Sequence, residues 1–436
     1  MGGTESEGAH EPACGLRDRV GRAGVSGGRR GSAGLTSLLS RREFILASAA
    51  ALGLPRSAGG ALDVVRGLGS TDALPSPAHS GIDHIVVVMM ENRSFDHFLG
   101  WLPGADGRQA GLSYADRSGT SHPTYPLAPD YQGCGHPDPD HTYDGGRIQY
   151  NGGACDGFLR AGGSDAYAIG YYTRPDLPFL GAAARYWTVC DRYFAAFMGP
   201  TYPNRLYLHA GVTDRIVNTS TPSSLPTIWD RLAARGLRGR NYYLTFPTVR
   251  LWGTKYSSVA RPYTRFLVDC KRGRLPQVAF VDPAFGGSSR GVSGDDHPYG
   301  DIRAGEYFLA RTYKAVTTSP AWPRTVLIVT FDEWGGFFDH VPPQPAPDVQ
   351  AAYALRGFRV PCLVISPFAR RRHVAHGIYD HTSILRMIEW RWGLPPLSVR
   401  DAHANNLAAV LDFKRRNLRA PRFTAPRVIS KACTGG

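Results

Sequence analysis

Short apolar runs recur along the chain, and several of them end abruptly in acidic or amide side chains. The first run covers residues 82–90 and is rich in Ile, Val and Met. A continuous β-branched run without alternation is typical of a strand that is buried on both faces, as in a parallel sheet. Similar runs predict further strands at residues 240–244, 278–282, 325–331 and 360–366.

Helical spacing of apolar residues is found between these runs. In residues 225–235, Ile228, Trp229 and Leu232 share one face, and Gly236 follows the last turn. The alternation of strands and helices predicts a layered α/β fold, in which ligands bind beyond the carboxyl ends of the strands. The same spacing predicts helices at residues 179–193, 302–316 and 378–392.

Two segments show little periodicity and are predicted to be loops. Residues 100–180 are rich in Gly, Pro, Asp and Tyr, and residues 286–298 in Gly, Ser and Asp. The longer segment is expected to cover the sheet and to carry functional residues. Residues 62–80 are small and polar, and we expect a linker there. One globular domain is then expected at residues 81–415, followed by a basic tail at 416–436.

The amino-terminal region has the order of an export signal. Arg41 and Arg42 precede a short apolar run at residues 44–54, and small residues follow near Ala58. This run is too short to span a bilayer, and the order of basic, apolar and small residues is typical of a signal peptide. The sequence Ser-Arg-Arg-Glu-Phe-Ile resembles a twin-arginine signal, which directs the export of folded proteins. We therefore expect residues 1–61 to be a disordered extension with a signal peptide, and the mature protein to be secreted, periplasmic or associated with the cell wall.

The net charge of +14 at first suggests nucleic acid or an anionic membrane as a partner. Much of this excess lies at the two ends, since residues 1–60 carry a net charge of +3 and residues 398–436 a net charge of +6. We expect such ends to be solvated and flexible. No basic helix or RNA-binding fingerprint accompanies the charge, so nucleic acid is not expected as a partner.

The seven cysteines contain no C-x-x-C motif. A zinc ribbon or a redox-active pair is therefore not indicated. Cys134 and Cys155 enclose a loop-like stretch and can pair in an oxidising compartment. Free, buried thiols are the alternative for both residues.

Two predicted strands end in oxygen-rich side chains. Glu91 and Asn92 follow the first strand, and Asp332 and Glu333 follow the strand at 325–331. Acidic groups at neighbouring strand ends repel each other unless a cation lies between them. Hard oxygen ligands suit Mg²⁺, Ca²⁺ or Mn²⁺, or Zn²⁺ where a histidine joins them. A helix N-cap or a turn is the alternative for each pair.

Histidines and one threonine supply further candidate chemistry. Imidazolium groups around a phosphate stabilise its charge or protonate a leaving group, although surface and turn positions are ordinary for single histidines. Thr201 lies between two prolines in a predicted sharp turn. A metal-activated threonine can attack phosphorus, whereas a solvent-facing threonine in a proline-fixed loop is the alternative that spacing alone favours. The histidines found in loops or beside acids are His136, His141, His297, His340 and His381.

Five ordered motifs lie along residues 80–412. They are IVVVMMENRSFDH at 85–97, GPTYPNR at 199–205, HPYGDIRAGE at 297–306, FDEWGGFFDHVPP at 331–343 and YDHTSIL at 379–385. Together these motifs resemble the bacterial phosphoesterase family, which contains phosphatidylcholine-type phospholipases C and related acid phosphatases.

The resemblance implies an alkaline-phosphatase-like fold, a three-layer αβα sandwich with a mostly parallel sheet. It also implies that Thr201 is the nucleophile and that three histidines, His141, His297 and His340, contact the phosphate. The divalent metal ion would be Ca²⁺, Mg²⁺, Mn²⁺ or Zn²⁺. The implied metal ligands are Glu91, Asn92, Thr201, Asp332 and Glu333.

Three functions follow as hypotheses. The first is a secreted phospholipase C, a hydrolase that cleaves phospholipids and contacts the membrane surface from outside. The second is an acid phosphatase that acts on phosphomonoesters with the same metal and the same threonine. The third is a non-catalytic secreted protein that binds anions or surfaces, which the intact set of ligands and nucleophile disfavours. Fold alone does not separate the first two, although Trp101 and the many tyrosines of residues 100–180 favour a lipid substrate.

Overall fold

The computed structural model describes residues 74–285 and 291–433. The predicted signal peptide, and the linker as far as residue 73, lie outside the described residues. The strands are β1 (His84–Met90), β2 (Ser113–Ala115), β3 (Ser121–Pro123), β4 (Tyr125–Pro126), β5 (Gly170–Tyr171), β6 (Thr188–Cys190), β7 (Tyr193–Phe194), β8 (Gly239–Tyr243), β9 (Ala260–Pro262), β10 (Val278–Asp282), β11 (Thr325–Phe331), β12 (Cys362–Ile365), β13 (His373–Ala375) and β14 (Tyr379–Asp380).

Helices connect and flank these strands. Among the described residues, none of them is long and apolar enough to cross a membrane. The α-helices are α1 (Phe95–Leu99), α2 (Tyr143–Tyr150), α3 (Leu180–Ala184), α4 (Thr201–Ala210), α5 (Ile228–Ala234), α6 (Tyr263–Lys271), α7 (Ile302–Thr317), α8 (His381–Trp392) and α9 (Val399–His403).

Eight strands form the central sheet in the order β13-β6-β12-β11-β1-β10-β8-β9. β1 lies between β10 and β11 and is parallel to both, and β8 and β9 continue the parallel arrangement. Of the eight strands described in this sheet, β12 is the one that is antiparallel to both its neighbours. With helices packed beside it, for example α6 against α7 and α4 against α8, the sheet confirms the predicted α/β fold.

The two strands that were predicted most clearly are central in the sheet. All seven residues of β11 are buried, as are Ile85 to Met90 of β1. Both strands therefore have apolar side chains on both faces, which explains their continuous apolar runs. Their register pairs Met90 with Phe331, so the residues that follow them leave the same edge of the sheet together.

Other predicted elements differ from the structure. The helix predicted at residues 179–193 is wrong beyond Ala184, because Thr188 and Val189 instead form β6 and pair with β12 and β13. The predicted loop at 100–180 contains α2, and α6 was not predicted. The sharp turn expected around Thr201 is the start of α4, since Pro200 is its N-cap residue.

The carboxyl-terminal segment is packed, which corrects the expectation of a flexible end for residues 416–433. The carbonyls of Leu418 and Pro421 accept hydrogen bonds from Trp322 Nε1 and the Tyr313 hydroxyl, at 2.9 and 2.8 Å. Phe423 lies between aromatic rings that include Tyr313. These contacts hold a chain without regular secondary structure against the helical layer.

The cysteine pairing also differs from the one considered from the sequence. Cys134 forms a disulfide with Cys433, and their Cα atoms are 5.4 Å apart. Cys155 is buried with a free thiol. A partner 299 residues away cannot be recognised from local loop spacing.

Candidate active site

The ends of β1 and β11 bring four predicted site residues together. The backbone N–H of Asn92 donates to Asp332 Oδ1 at 3.1 Å. Asn92 has φ 59°, a left-handed conformation that asparagine tolerates better than most residues. Gly335, at φ 64°, packs against this turn. A Cβ atom at position 335 would lie 2.2 Å from the Asn92 carbonyl oxygen. The turn therefore holds Glu91 and Asn92 against Asp332 and Glu333.

Thr201 reaches this edge from the first position of α4. Its Oγ1 lies 3.1 Å from Glu91 Oε1 and 3.4 Å from Asn92 Oδ1. Asn204 fixes the preceding loop, because its amide donates to the carbonyls of Phe197 and Gly199 at 3.0 and 2.9 Å. The hydroxyl is therefore held at a helix N-terminus, where the helix dipole favours negative charge.

Arg205 lies one turn after Thr201 on the same face of α4 and brings a positive charge to the acids. Its Nε donates to Asp332 Oδ2 at 3.0 Å, and both side chains are buried. Its Nη2 donates to the Met90 carbonyl at 3.3 Å. One helix thus supplies both the hydroxyl and the guanidinium group that balances Asp332.

Arg205 compensates only part of the negative charge that these acids would carry in their ionised forms. Burial raises the pKa of Glu91 well above its usual range, and the carboxylates of Asp295 and Asp332 raise it further. Burial raises the pKa of Glu333 to about 8. It also raises the pKa of Asp332, although Arg205 opposes that change. A further cation would stabilise the charged forms of all three groups.

The donor set fits a divalent metal ion. Glu91 Oε2 and Glu333 Oε1 are buried and have no hydrogen-bond partner among the described residues. Unpartnered buried carboxylate oxygens are costly unless a cation or a donor satisfies them. Together with the oxygens of Asn92, Thr201 and Asp332, they are the hard ligand set predicted from the sequence, and the binding of an ion by these residues stays a prediction.

Two of the predicted histidines lie beside this cluster. His141 Nε2 is 3.5 Å from Asn92 Nδ2 and 3.9 Å from Glu333 Oε1. Burial opposes its charge, but the carboxylates of Glu333 and Asp138 outweigh that effect and raise its pKa to about 9. The ring of His297 is 6.2 Å from that of His141, and burial lowers its pKa well below the usual range.

His340 lies in a different group of charged residues. Its Nδ1 is 2.5 Å from Asp96 Oδ2, and its Nε2 is 3.2 Å from Asp106 Oδ1. Arg359 pairs with Asp96 and with Asp339 at 3.1 and 2.9 Å, and these three side chains are buried. Among the described residues, the polar partners of His340 are therefore not those of Thr201, and its contact with phosphate stays a prediction.

A family model named the phosphoesterase family matches residues 82–395, which include every described residue of this cluster. This chain belongs to the phosphoesterase family. It is a hydrolase that acts on phosphoester bonds.

Relatives of this phosphoesterase support the assignment. Phospholipase C B of Mycobacterium tuberculosis is 31% identical, over 91% of this chain and 92% of its own length. The non-hemolytic phospholipase C of Pseudomonas aeruginosa is 30% identical, over 87% of this chain and 64% of its own length. A solved protein of the alkaline phosphatase superfamily from Vibrio parahaemolyticus is similar with a TM-score of 0.39 and 13% identity, over 80% of this chain and 79% of its own.

The phosphoesterase site contains residues that were not assigned from the sequence. Asp295 accepts a hydrogen bond from the Glu91 N–H through its carbonyl at 2.8 Å, and its carboxylate faces Glu91. Asp138 lies between the two histidines, with Oδ2 3.5 Å from His297 Nε2. His381, a candidate histidine without a role assigned from the sequence, donates from Nε2 to the Asp332 carbonyl at 2.6 Å. The one sequence signal for Asp138 and Asp295 was a histidine two or three residues away.

Proposed function

We propose that this phosphoesterase is an exported, metal-dependent phospholipase C that hydrolyses phospholipids through Thr201. The observation that carries the proposal is the position of Thr201 Oγ1, 3.1 Å from Glu91 Oε1 at the edge where Asp332 and Glu333 also lie. A buried hydroxyl at a helix N-terminus, beside an acidic cluster with unpartnered oxygens, is suited to attack on phosphorus, because the dipole and a bound cation would stabilise the developing charge. Both relatives described above carry the name phospholipase C.

Each residue of the site has its own role in the proposed reaction. Thr201 Oγ1 attacks phosphorus while its proton moves toward Glu91 Oε1, the oxygen to which it already donates. The bond from phosphorus to the diacylglycerol oxygen breaks, and that oxygen takes a proton from the imidazolium of His141, whose pKa is raised to about 9. The phosphorylated head group stays on Thr201 until water attacks the phosphorus. One proton of that water then returns to His141, the phosphorylated head group leaves, and Thr201 Oγ1 takes its proton back from Glu91. His141 and His297 bind the phosphate oxygens, and Arg205 keeps Asp332 charged and in place.

A divalent metal ion would be held by Glu91, Asn92, Thr201, Asp332 and Glu333. When bound, it would polarise a phosphoryl oxygen and favour the deprotonated threonine hydroxyl. These oxygen ligands suit Ca²⁺, Mg²⁺ and Mn²⁺. Because His141 lies nearby, Zn²⁺ is also a candidate. The assay below distinguishes these ions.

The substrate is tested by offering two phosphate esters side by side. The purified protein is stripped with a chelator and supplied with Ca²⁺, Mg²⁺, Mn²⁺ or Zn²⁺ in turn, with phosphatidylcholine vesicles or p-nitrophenyl phosphate. We expect one ion to restore release of diacylglycerol and phosphocholine by about 10³-fold, because a bound metal contributes several kcal/mol to charge stabilisation. Hydrolysis of p-nitrophenyl phosphate alone would replace this proposal by the phosphomonoesterase alternative. No hydrolysis of either ester with any ion would refute both.

Export is the second part of the proposal, and it is supported by Arg41 and Arg42 before the short apolar run at 44–54. Replacing both arginines by lysine keeps the charge but changes the pair that a twin-arginine receptor reads. We expect the unprocessed chain to accumulate in the cytoplasm, as measured by fractionation and immunoblotting. A variant in which Arg29 and Arg30 become lysine is the matched control and should be exported normally. Export of the Arg41→Lys, Arg42→Lys chain at the unaltered level would contradict this part.

A further inference from the structure

Two loops of the described chain carry the histidines beside the cluster. One loop, residues 130–141, holds Asp138 and His141, and the other, residues 291–301, holds Asp295 and His297. Apart from turns, both loops lack regular secondary structure. Their relative position therefore depends on the side-chain contacts that join them rather than on a helix or a sheet.

The last described residues of the chain join these two loops. The disulfide from Cys433 holds Cys134 of the first loop. The hydroxyl of Ser430 donates to the Gly291 carbonyl and accepts from the Asp301 N–H at 2.8 Å, so it holds both ends of the second loop. We call residues 430–433 the C-terminal clasp.

Gln132 completes the junction from the first loop. Its Nε2 donates to the Gly291 carbonyl at 3.2 Å and also to the Lys431 carbonyl. A Cβ at Gly291 would lie 2.8 Å from Gln132 Nε2 and 2.9 Å from Cys433 Sγ, so the three segments are in close contact. Ser430 is 9% exposed, which keeps its two hydrogen bonds away from competing water.

The C-terminal clasp contacts the same two loops that carry His141 and His297. Asp138 Oδ2 reaches across from the first loop to within 3.5 Å of His297 Nε2. The second loop also ties to β1, because the Asp295 carbonyl accepts from the Glu91 N–H at 2.8 Å. A shift of one loop against the other would change the separation of the rings of His141 and His297.

We propose that the C-terminal clasp sets the distance between His141 and His297, with Ser430 as a positioning residue, and that the Cys134–Cys433 bond makes hydrolysis depend on oxidation. The inference rests on the proposed function, since it assigns the two rings to phosphate binding. Disulfides persist in oxidising compartments and are rare in the cytoplasm. An exported phospholipase with this clasp would be weakly active beside the lipids of its own cell and fully active after export.

The redox step is an ordinary disulfide reduction. With tris(2-carboxyethyl)phosphine, the S–S bond breaks, each sulfur gains one electron and one proton to become a thiol, and the phosphine takes an oxygen atom from water. Oxidised glutathione reverses the change by thiol–disulfide exchange and leaves as two molecules of reduced glutathione. The other described cysteines, Cys155, Cys190, Cys270 and Cys362, are buried and free, so this bond is the one that reduction addresses in the described part of the chain.

The experiment compares the wild-type protein with Cys433→Ser and Ser430→Ala, each loaded with the ion chosen above. We expect kcat for phosphatidylcholine to fall by about 10- to 100-fold in both variants, because small displacements of binding groups slow a reaction strongly. The Ki of inorganic phosphate should rise, and the Kd of the metal should stay within about twofold, because the clasp does not touch the metal ligands. Reduction should slow the wild-type protein to the rate of Cys433→Ser, oxidised glutathione should restore it, and Cys433→Ser should not respond.

Tyr313→Phe is the matched control, since it removes a hydrogen bond to the same carboxyl-terminal segment at Pro421, away from the two loops. It should lower Tm and leave kcat and the Ki of phosphate unaltered. An active wild-type protein with equally active clasp variants would overturn this inference alone. Equal losses of kcat in Tyr313→Phe and Cys433→Ser would also overturn it, since they would indicate general loosening. An inactive wild-type protein with every ion would overturn the proposed function and this inference with it.

Discussion

Thr201→Ala is expected to lower kcat for phosphatidylcholine and for p-nitrophenyl phosphate by about 10⁴- to 10⁶-fold, the range seen when an enzyme loses its nucleophile. Alanine removes the Oγ1 atom that lies 3.1 Å from Glu91 Oε1 and 3.4 Å from Asn92 Oδ1. No other hydroxyl among the described residues is hydrogen-bonded to Glu91 or Asn92. Steady-state kinetics with both substrates measure the loss.

Thr201→Ser is the matched control for this prediction. Serine keeps the hydroxyl at the first position of α4 and loses one methyl group, so we expect a loss of no more than about tenfold. Acid quenching during turnover should trap one phosphoryl-containing adduct on the peptide that begins α4, both in the wild-type protein and in Thr201→Ser, and none in Thr201→Ala. Turnover of Thr201→Ala at the wild-type rate would contradict the covalent mechanism and leave direct attack by water in its place.

Glu91→Gln is expected to weaken metal binding by about 100-fold or more and to lower kcat/KM by about 10³-fold. The amide has nearly the shape of the carboxylate but lacks its charge, and it turns one oxygen position into a donor. Burial and the carboxylates of Asp295 and Asp332 raise the pKa of Glu91, so we expect a bound cation to stabilise its charged form. Calorimetric titration of the stripped protein measures the affinity, and kinetics measure the activity.

Glu306→Gln is the control for Glu91→Gln. Glu306 is also buried, but its carboxylate accepts hydrogen bonds from the N–H groups of Phe179 and Leu180. An amide oxygen at the same place can accept those bonds, so metal affinity should be unaltered. Equal metal affinity of Glu91→Gln and the wild-type protein would mean that the ion binds elsewhere. Two other groups of side chains would then be the candidate metal sites. One is Asp138, His141 and His297, and the other is Asp96, Asp339 and His340.

Much of the parallel sheet could be predicted from the sequence. The predicted bounds of β10 and β11 agree with the structure, and α7 differs only by its last residue. These elements are buried or strongly amphipathic, so their local pattern reports their environment directly. The helix predicted at 179–193 is wrong because residues of β6 pair with β12 and β13, which come about 175 to 185 residues later in the chain. Local spacing carries no information on such partners.

Some residues of the candidate site could likewise be predicted from the sequence, and others could not. That Glu91 and Asn92 lie beside Asp332 and Glu333 could be predicted, because each pair directly follows an apolar strand. Thr201 could be proposed only from the resemblance, since its spacing alone favoured a solvent-facing residue. His340 shares its motif with Asp332, yet its ring contacts Asp96 and Asp106 instead of the Thr201 cluster. A motif places residues on the same loop but does not decide which way each side chain points.

The sequence by itself determined that this protein has a buried parallel sheet whose first and late strands end in carboxylate and amide side chains, because apolar runs and their polar ends are local properties. The tertiary structure alone decided that Met90 pairs with Phe331, that Thr201 begins a helix aimed at Glu91, and that Cys433 closes on Cys134. These contacts join residues 110 to 299 positions apart. They follow from how the whole chain packs, and no short stretch of sequence encodes them.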